Sequence, residues 1–199
     1  MTKCYLTLCS ITGDCGLLAY KSLCYDDWHI AAMEINLTIE EEFAGCPDVG
    51  WFQRIAEQVL EAQGVGSNAE LGILITDQER VRELNRVYRG EDHPTDVLSF
   101  CMTVSEEESG GEAERFVVAP DGIMHLGEVV ISYPQAAIQA QEHQHSVNKE
   151  LAVLTVHGVL HLLGYDHEDK QQQQEMVARE QAILNAVSKN QEGKSNEEG

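Results

Sequence analysis

Eleven residues near the C-terminal end constrain this chain most: His157-Gly-Val-Leu-His161-Leu-Leu-Gly164-Tyr-Asp-His167. They continue an apolar run with Leu151, Val153, Leu154 and Val156 before the first histidine and Val159, Leu160, Leu162 and Leu163 after it. The segment therefore reads as a buried helix, where an unpaired polar ring costs about 1–3 kcal/mol. Residues four apart share one helical face, so His157 and His161 reach a common point. Gly164 can adopt the left-handed conformation that ends a helix, and the chain then turns back through Tyr165 and Asp166 to present His167. Three imidazoles suit one zinc ion at Zn–N distances of about 2.0–2.1 Å, and three protein ligands leave a position for water, as catalytic sites do. Such an ion lowers the pKa of its water to about 7 and polarises a carbonyl or phosphoryl oxygen. The expectation is one zinc ion per chain on His157, His161 and His167. Asp166 and Glu168 flank the third histidine, either orienting ligand rings or standing as solvated turn residues. His29, His93, His125, His143 and His145 lack this spacing and read as surface or loop residues, and no second metal is expected.

The rest of the chain reads as an α+β domain, about four strands in a mixed sheet packed with about five helices, one of them the histidine helix of a zinc hydrolase. At 199 residues it is the size of one domain. Residues 1–32 show no sustained period and read as a flexible extension or a misassigned start. The domain spans 33–187, and 188–199, polar and without large apolar residues, reads as a disordered tail. Glu34 to Ile39 alternates like a strand, and Val49 to Gly64 places Trp51, Phe52, Ile55, Val59 and Leu60 at helical spacing. Leu71 to Ile75 reads as a buried strand. Thr76 with Glu79 reads as a capping box for a second helix toward Tyr88, with Val81, Leu84 and Tyr88 on its buried face and Arg82, Arg86 and Arg89 in a stripe. Asp96 to Met102 and Ile123 to Ile131 supply two more strands around an acidic loop at 106–111. Ser132 and Pro134 open a helix toward His143, a long apolar helix runs from Asn148 to Leu163, and Gln171 to Val187 forms the last.

Composition narrows the setting. No apolar run approaches the ~20 residues that cross a bilayer, so no membrane partner is expected and the cytoplasm is the default compartment. The six cysteines, four of them within the first 24 residues, form no C-x-x-C pair and read as free thiols. A net charge of −21 opposes binding to nucleic acid, unless a few arginines reverse the field locally within a screening length of ~8 Å.

The histidine spacing is that of metzincin proteases, which makes a metalloprotease the first rival. Those enzymes need Glu directly after the first histidine, where this chain has Gly158. The same segment resembles the H-G-x-L-H-L-x-G-Y-D-H signature of the YbeY family of endoribonucleases, or rRNA maturation factors. Leu84-Asn85, Tyr88-Arg89, Asp92 and Pro94-Thr-Asp-Val-Leu-Ser-Phe100 resemble a second hallmark, and Leu126-Gly-Glu-Val-Val-Ile131 a third. The resemblance covers about residues 33–187, with Cys101 where proline is usual and Glu128 where Asp is common. It implies an α+β fold, zinc on the three matching histidines, and cleavage of single-stranded RNA in 16S rRNA 3′-end maturation and ribosome quality control, with the small ribosomal subunit or its proteins as partner. It also implies a catalytic role for Arg89, which suits charge growing on a phosphoryl group. Glu128 and Ser99 are weaker candidates. Arg82 and Arg86 read as a solvated face paired with Glu79 and Glu83. The attacking group is left open between water and the RNA 2′-hydroxyl. A different class of reading is a non-catalytic ribosome-assembly factor whose metal only maintains shape.

Overall fold

The computed structural model describes residues 33–40, 43, 45–102, 117–118, 122–167 and 169–194. The expectations for residues 1–32, for the acidic loop, for Glu168 and for Cys4, Cys9, Cys15 and Cys24 lie outside them, while Cys46 and Cys101 are free thiols.

In chain order the elements are β1 (Glu34–Ile39), α1 (Val49–Ala62), β2 (Ala69–Thr76), α2 (Gln78–Arg89), β3 (Val97–Cys101), β4 (Val117–Val118), β5 (Met124–Ser132), α3 (Tyr133–Glu142), α4 (Val147–Leu162) and α5 (Lys170–Lys194). The sheet runs β1-β2-β5-β3, with the two-residue β4 also on β5. Strands β1, β2 and β5 are mutually parallel, and β3 runs antiparallel to β5. The expected mixed sheet and five helices are present, with β4 added.

The period-2 alternation of the central strands separates two apolar layers. Leu71, Ile73, Ile75, Val129 and Ile131 join the main core with α1, α4 and α5, whereas Val130 and Leu98 face the other way and pack with Val81 of α2. Helix α4 is apolar nearly all round because it is covered nearly all round, touching α1, α3, α5, β3 and β5. Its approach to the sheet is set by Gly158, where an added Cβ would stand 2.5 Å from Val129 Cγ1 and 3.3 Å from Val97 Cγ2.

Three expectations about local structure change. Helix α2 is capped by Asp77, whose side chain accepts from the Arg80 amide, and not by Thr76. Thr76 still belongs to β2, is fully buried, and donates its hydroxyl to Glu40 Oε2 at 2.7 Å. Tyr88 is 68% exposed, and the position on α2 that is buried besides Val81 is Asn85. Helix α5 does not stop at Val187 but continues to Lys194, with the Ser188 hydroxyl donating to the Leu184 carbonyl.

Candidate metal centre and cleft

The two α4 histidines meet as their spacing requires: His157 Nε2 and His161 Nε2 lie 3.1 Å apart. A tetrahedral ion with Zn–N bonds of about 2.0–2.1 Å separates adjacent ligand atoms by roughly 3.3–3.4 Å. The pair is thus already at the spacing of two ligands of one ion. Beyond Leu162 the helix closes with Gly164 at φ 82°, the Gly164 amide donating to the His161 carbonyl and the Tyr165 amide to the Leu160 carbonyl. These two bonds make the Schellman closure. The turn is then anchored by the Tyr165 hydroxyl, which donates to Gln63 Oε1 at 2.9 Å, and by Arg179 over the Tyr165 ring at 4.7 Å. The chain returns with the His167 ring 5.2 Å from that of His161 and 6.0 Å from that of His157, centre to centre.

The electrostatics suit a cation. Burial, followed by the neighbouring His157 and His167, holds the His161 pKa below its ordinary value of 6.5, which keeps that ring a neutral donor of a lone pair. His157 Nδ1 lies 2.6 Å from Glu180 Oε1, a carboxylate only 17% exposed on α5. A ring that donates from Nδ1 to a carboxylate leaves Nε2 free to face a metal and makes it more basic. Asp166 Oδ1 accepts from the His167 amide at 2.7 Å and sits 3.5 Å from its Nδ1. His161, Asp166 and His167 bring ligand atoms within 4.8 Å of one another. His157 is close to His161 but stands outside that group, so His161 joins two donor pairs whose chemistry suits a borderline divalent ion.

Glu180 was missed by reading the sequence, although a signal was there. Met176, Ile183 and Val187 are buried along one stripe of α5, and Glu180 occupies the same stripe. A carboxylate at a core-facing helical position requires a partner.

Arg89 opens onto the same cleft, of about 480 Å³, as the three histidines, Ser99 and Cys101. It is the last residue of α2, where Gly90 at φ 74° ends the helix. The loop that follows is held by the Asn85 side chain, which donates to the His93 carbonyl at 2.9 Å. Asp96 braces the far wall, accepting from the Val97 amide and from Gln139 Nε2. Ser99 donates to the Gly158 carbonyl at 3.0 Å, so its hydroxyl is tied to α4. Cys101 donates from Sγ to the His161 carbonyl, and burial raises its thiol pKa against the pull of Arg89. Glu128 is exposed on β5 against Gly72 and does not line the cleft.

The other basic groups are not available in the way the arginine stripe suggests. Arg86 pairs with Glu83 as expected, but Arg82 pairs with Asp92, each contact being 2.7 Å. Arg89 has no ion pair among the described residues. Beside it, the exposed ring of Tyr88 stands edge-on to Phe100 at 5.1 Å. The remaining histidines are not all loop residues: His125 lies within β5 and meets Glu70 at 2.7 Å.

The family model described as Endoribonuclease YbeY matches residues 34–188. A Dehalococcoides mccartyi protein named Endoribonuclease YbeY is 50% identical over 137 residues, covering 69% of this chain and 80% of the relative. One of the same name from Roseiflexus castenholzii is 42% identical over 164 residues, covering 82% and 98%. The solution structure of TM1509 from Thermotoga maritima superposes with a TM-score of 0.52 at 24% identity, covering 82% of this chain and 95% of that one, a likeness of fold.

Proposed function

Because the chain belongs to the YbeY family of endoribonucleases, we propose that it cuts single-stranded RNA with one zinc ion held by His157, His161 and His167 and with Arg89 as the catalytic cation. It is a hydrolase acting on RNA. The setting we assign is cytoplasmic 16S rRNA 3′-end maturation and ribosome quality control, on or near the small ribosomal subunit. No helix among the described residues is long and apolar enough to cross a membrane.

The observation that carries this reading is the convergence of three imidazoles and one unpaired arginine on a single cleft. A divalent ion on the imidazoles supplies Lewis acidity toward a phosphoryl oxygen and lowers the pKa of a coordinated water. The protein's own contribution is positional. Glu180 fixes the His157 tautomer, Tyr165 and Gly164 deliver His167, and the Asn85 and Gly90 contacts hold the end of α2 so that Arg89 faces the cleft. Arg89 meets a phosphodiester with a permanent positive charge in a chain whose net charge is −21, which makes it a local exception to the repulsive field. Tyr88 beside it offers an aromatic face to an unpaired base. The attacking hydroxyl, from water or from the adjacent ribose, is read from the product: a 2′,3′-cyclic phosphate marks the ribose.

The protease reading meets a steric obstacle. Position 158 lacks room for a Cβ, so the glutamate such an enzyme needs there has no space. The deciding experiment compares Arg89→Ala with His157→Ala on a single-stranded RNA. Arg89→Ala should keep fold and zinc while losing about 10²–10³ in cleavage rate, and His157→Ala should lose zinc and cleavage together. Full rRNA processing in cells carrying Arg89→Ala and in cells carrying His157→Ala would overturn the catalytic reading in favour of an assembly factor.

A further inference from the structure

A second cluster of ligating side chains lies at the opposite end of α4 from the cleft. His143 ends α3, His145 follows it in the α3–α4 turn, and Glu150 stands in the first turn of α4. One carboxylate oxygen, Glu150 Oε2, faces both rings, His145 Nε2 at 2.9 Å and His143 Nδ1 at 3.3 Å. The three ligand atoms lie within 4.8 Å of one another. Glu150 is 4% exposed, unusual for a carboxylate whose partners are two imidazoles. From these contacts we propose that His143, His145 and Glu150 form a second zinc site, independent of the one in the cleft.

The separations approach the roughly 3.3–3.4 Å edge between neighbouring ligands on a tetrahedral zinc ion, so binding needs only a small opening of the cluster. Two imidazoles and a carboxylate are a donor set that zinc takes in catalytic sites. The backbone holds this arrangement at a cost. Gln144, between the two histidines, has φ 56°, the one positive value at a non-glycine among the described residues, and the His145 amide returns to the Ala140 carbonyl at 3.0 Å. With the Gln144 amide on the Gln141 carbonyl at 3.2 Å this is the Schellman closure of α3, and it leaves His143 and His145 beside one carboxylate. His143 is 57% exposed at its side chain, which leaves the cluster open for an ion to enter and for water to complete its coordination.

Glu150 precedes His157 by seven residues, two turns of α4, so the two sites are separated by roughly 10 Å along the helix axis. An ion on the outer cluster pins α3 to the start of the helix that carries His157 and His161. It does so without entering the cleft.

The test is a zinc titration of the intact chain followed by histidine side-chain 1H–15N correlation spectra, which report each ring by residue and keep uptake by thiols apart. The His143 and His145 ring nitrogens should shift together and saturate. That response should persist in His161→Ala, which removes the cleft site, so failure of the metal reading there leaves this one standing. The exposed substitution His143→Ala should weaken zinc binding as reported by His145 at least tenfold while the cleft histidines respond as before, and Glu150→Gln should abolish the response. Rings of His143 and His145 that stay unmoved through saturation of the cleft site, or a His145 response unchanged by His143→Ala, would refute the second site and leave the cluster as a hydrogen-bonded pair on one carboxylate.

Discussion

Replacing Gly158 with alanine separates two opposed effects at the centre of the fold. Alanine is favoured over glycine within a helix by about 1 kcal/mol, so propensity alone predicts a more stable protein. The packing predicts the reverse. The new Cβ would lie 2.5 Å from Val129 Cγ1 and 3.3 Å from both Val129 Cγ2 and Val97 Cγ2. Val129 is fully buried on β5, paired with β2 on one side and β3 on the other, and a β-branched side chain there has little rotamer freedom to withdraw. Overpacking of this kind costs about 1–3 kcal/mol, and stiff neighbours place it at the upper end. The net expectation is a loss of about 2 kcal/mol, which for a domain of this size lowers Tm by about 4–8 °C. Displacing α4 also moves His157 and His161 together, so zinc affinity should fall with stability. Thermal unfolding by circular dichroism and competition with a chromophoric chelator measure the two. In a Val129→Ala background the clash is relieved, and Gly158→Ala should there become neutral or stabilising. A Gly158→Ala single variant that melts at or above the wild-type temperature would refute the steric account of this position, and with it the structural argument against a glutamate there.

Glu180→Gln removes the charge behind His157 while keeping its shape, and zinc affinity should drop about 10–100-fold with little change in the secondary structure of the metal-free chain; an unchanged affinity would show that the 2.6 Å contact does not tune the ligand. Asp77→Ala should cost about 0.5–2 kcal/mol in urea unfolding through loss of the α2 cap, whereas Thr76→Ser, which retains the buried hydroxyl, should leave that cap intact. For the metal-free chain, the depressed pKa of His161 means that the unfolded state binds more protons below about 6.5, so stability should rise with pH through that window and level off above it. Urea midpoints across pH, compared with those of His161→Ala, check the sign, and an identical slope in the variant would exclude His161 as the cause. Zinc uptake should weaken over the same range as protons compete for the imidazoles.

Much of the site was visible in the one-dimensional pattern because it is built from local geometry. Four-residue spacing on a helix dictates that His157 and His161 share a face, and a glycine three residues on dictates where the chain can turn, so the cluster follows from rise and rotation per residue. The strands and helices followed from alternation and period in the same way. The errors were also local in kind: at α2, Asp77 competed successfully with Thr76 for the cap because Thr76 is still held in β2 by pairing with Ser132 and by its bond to Glu40. Tyr88 looked apolar and periodic, yet the layer under α2 is filled by Val81, Leu98 and Val130 with Leu84 and Phe100 at its side, and Tyr88 meets it only edge-on at Phe100 and stays 68% exposed.

What the sequence alone determined is the shared face of His157 and His161, the break at Gly164 and the order of the elements, each legible from residues close together in the chain. The tertiary structure decided the rest: that Glu180, 23 residues along the chain, stands behind His157, that Arg89 reaches the cleft while Arg82 is taken by Asp92, and that Val129 crowds any side chain at 158. The physical reason is that these relations depend on how α2, α4 and α5 pack on the sheet. Side-chain periodicity records which face of an element is buried, but not which distant residue it is buried against.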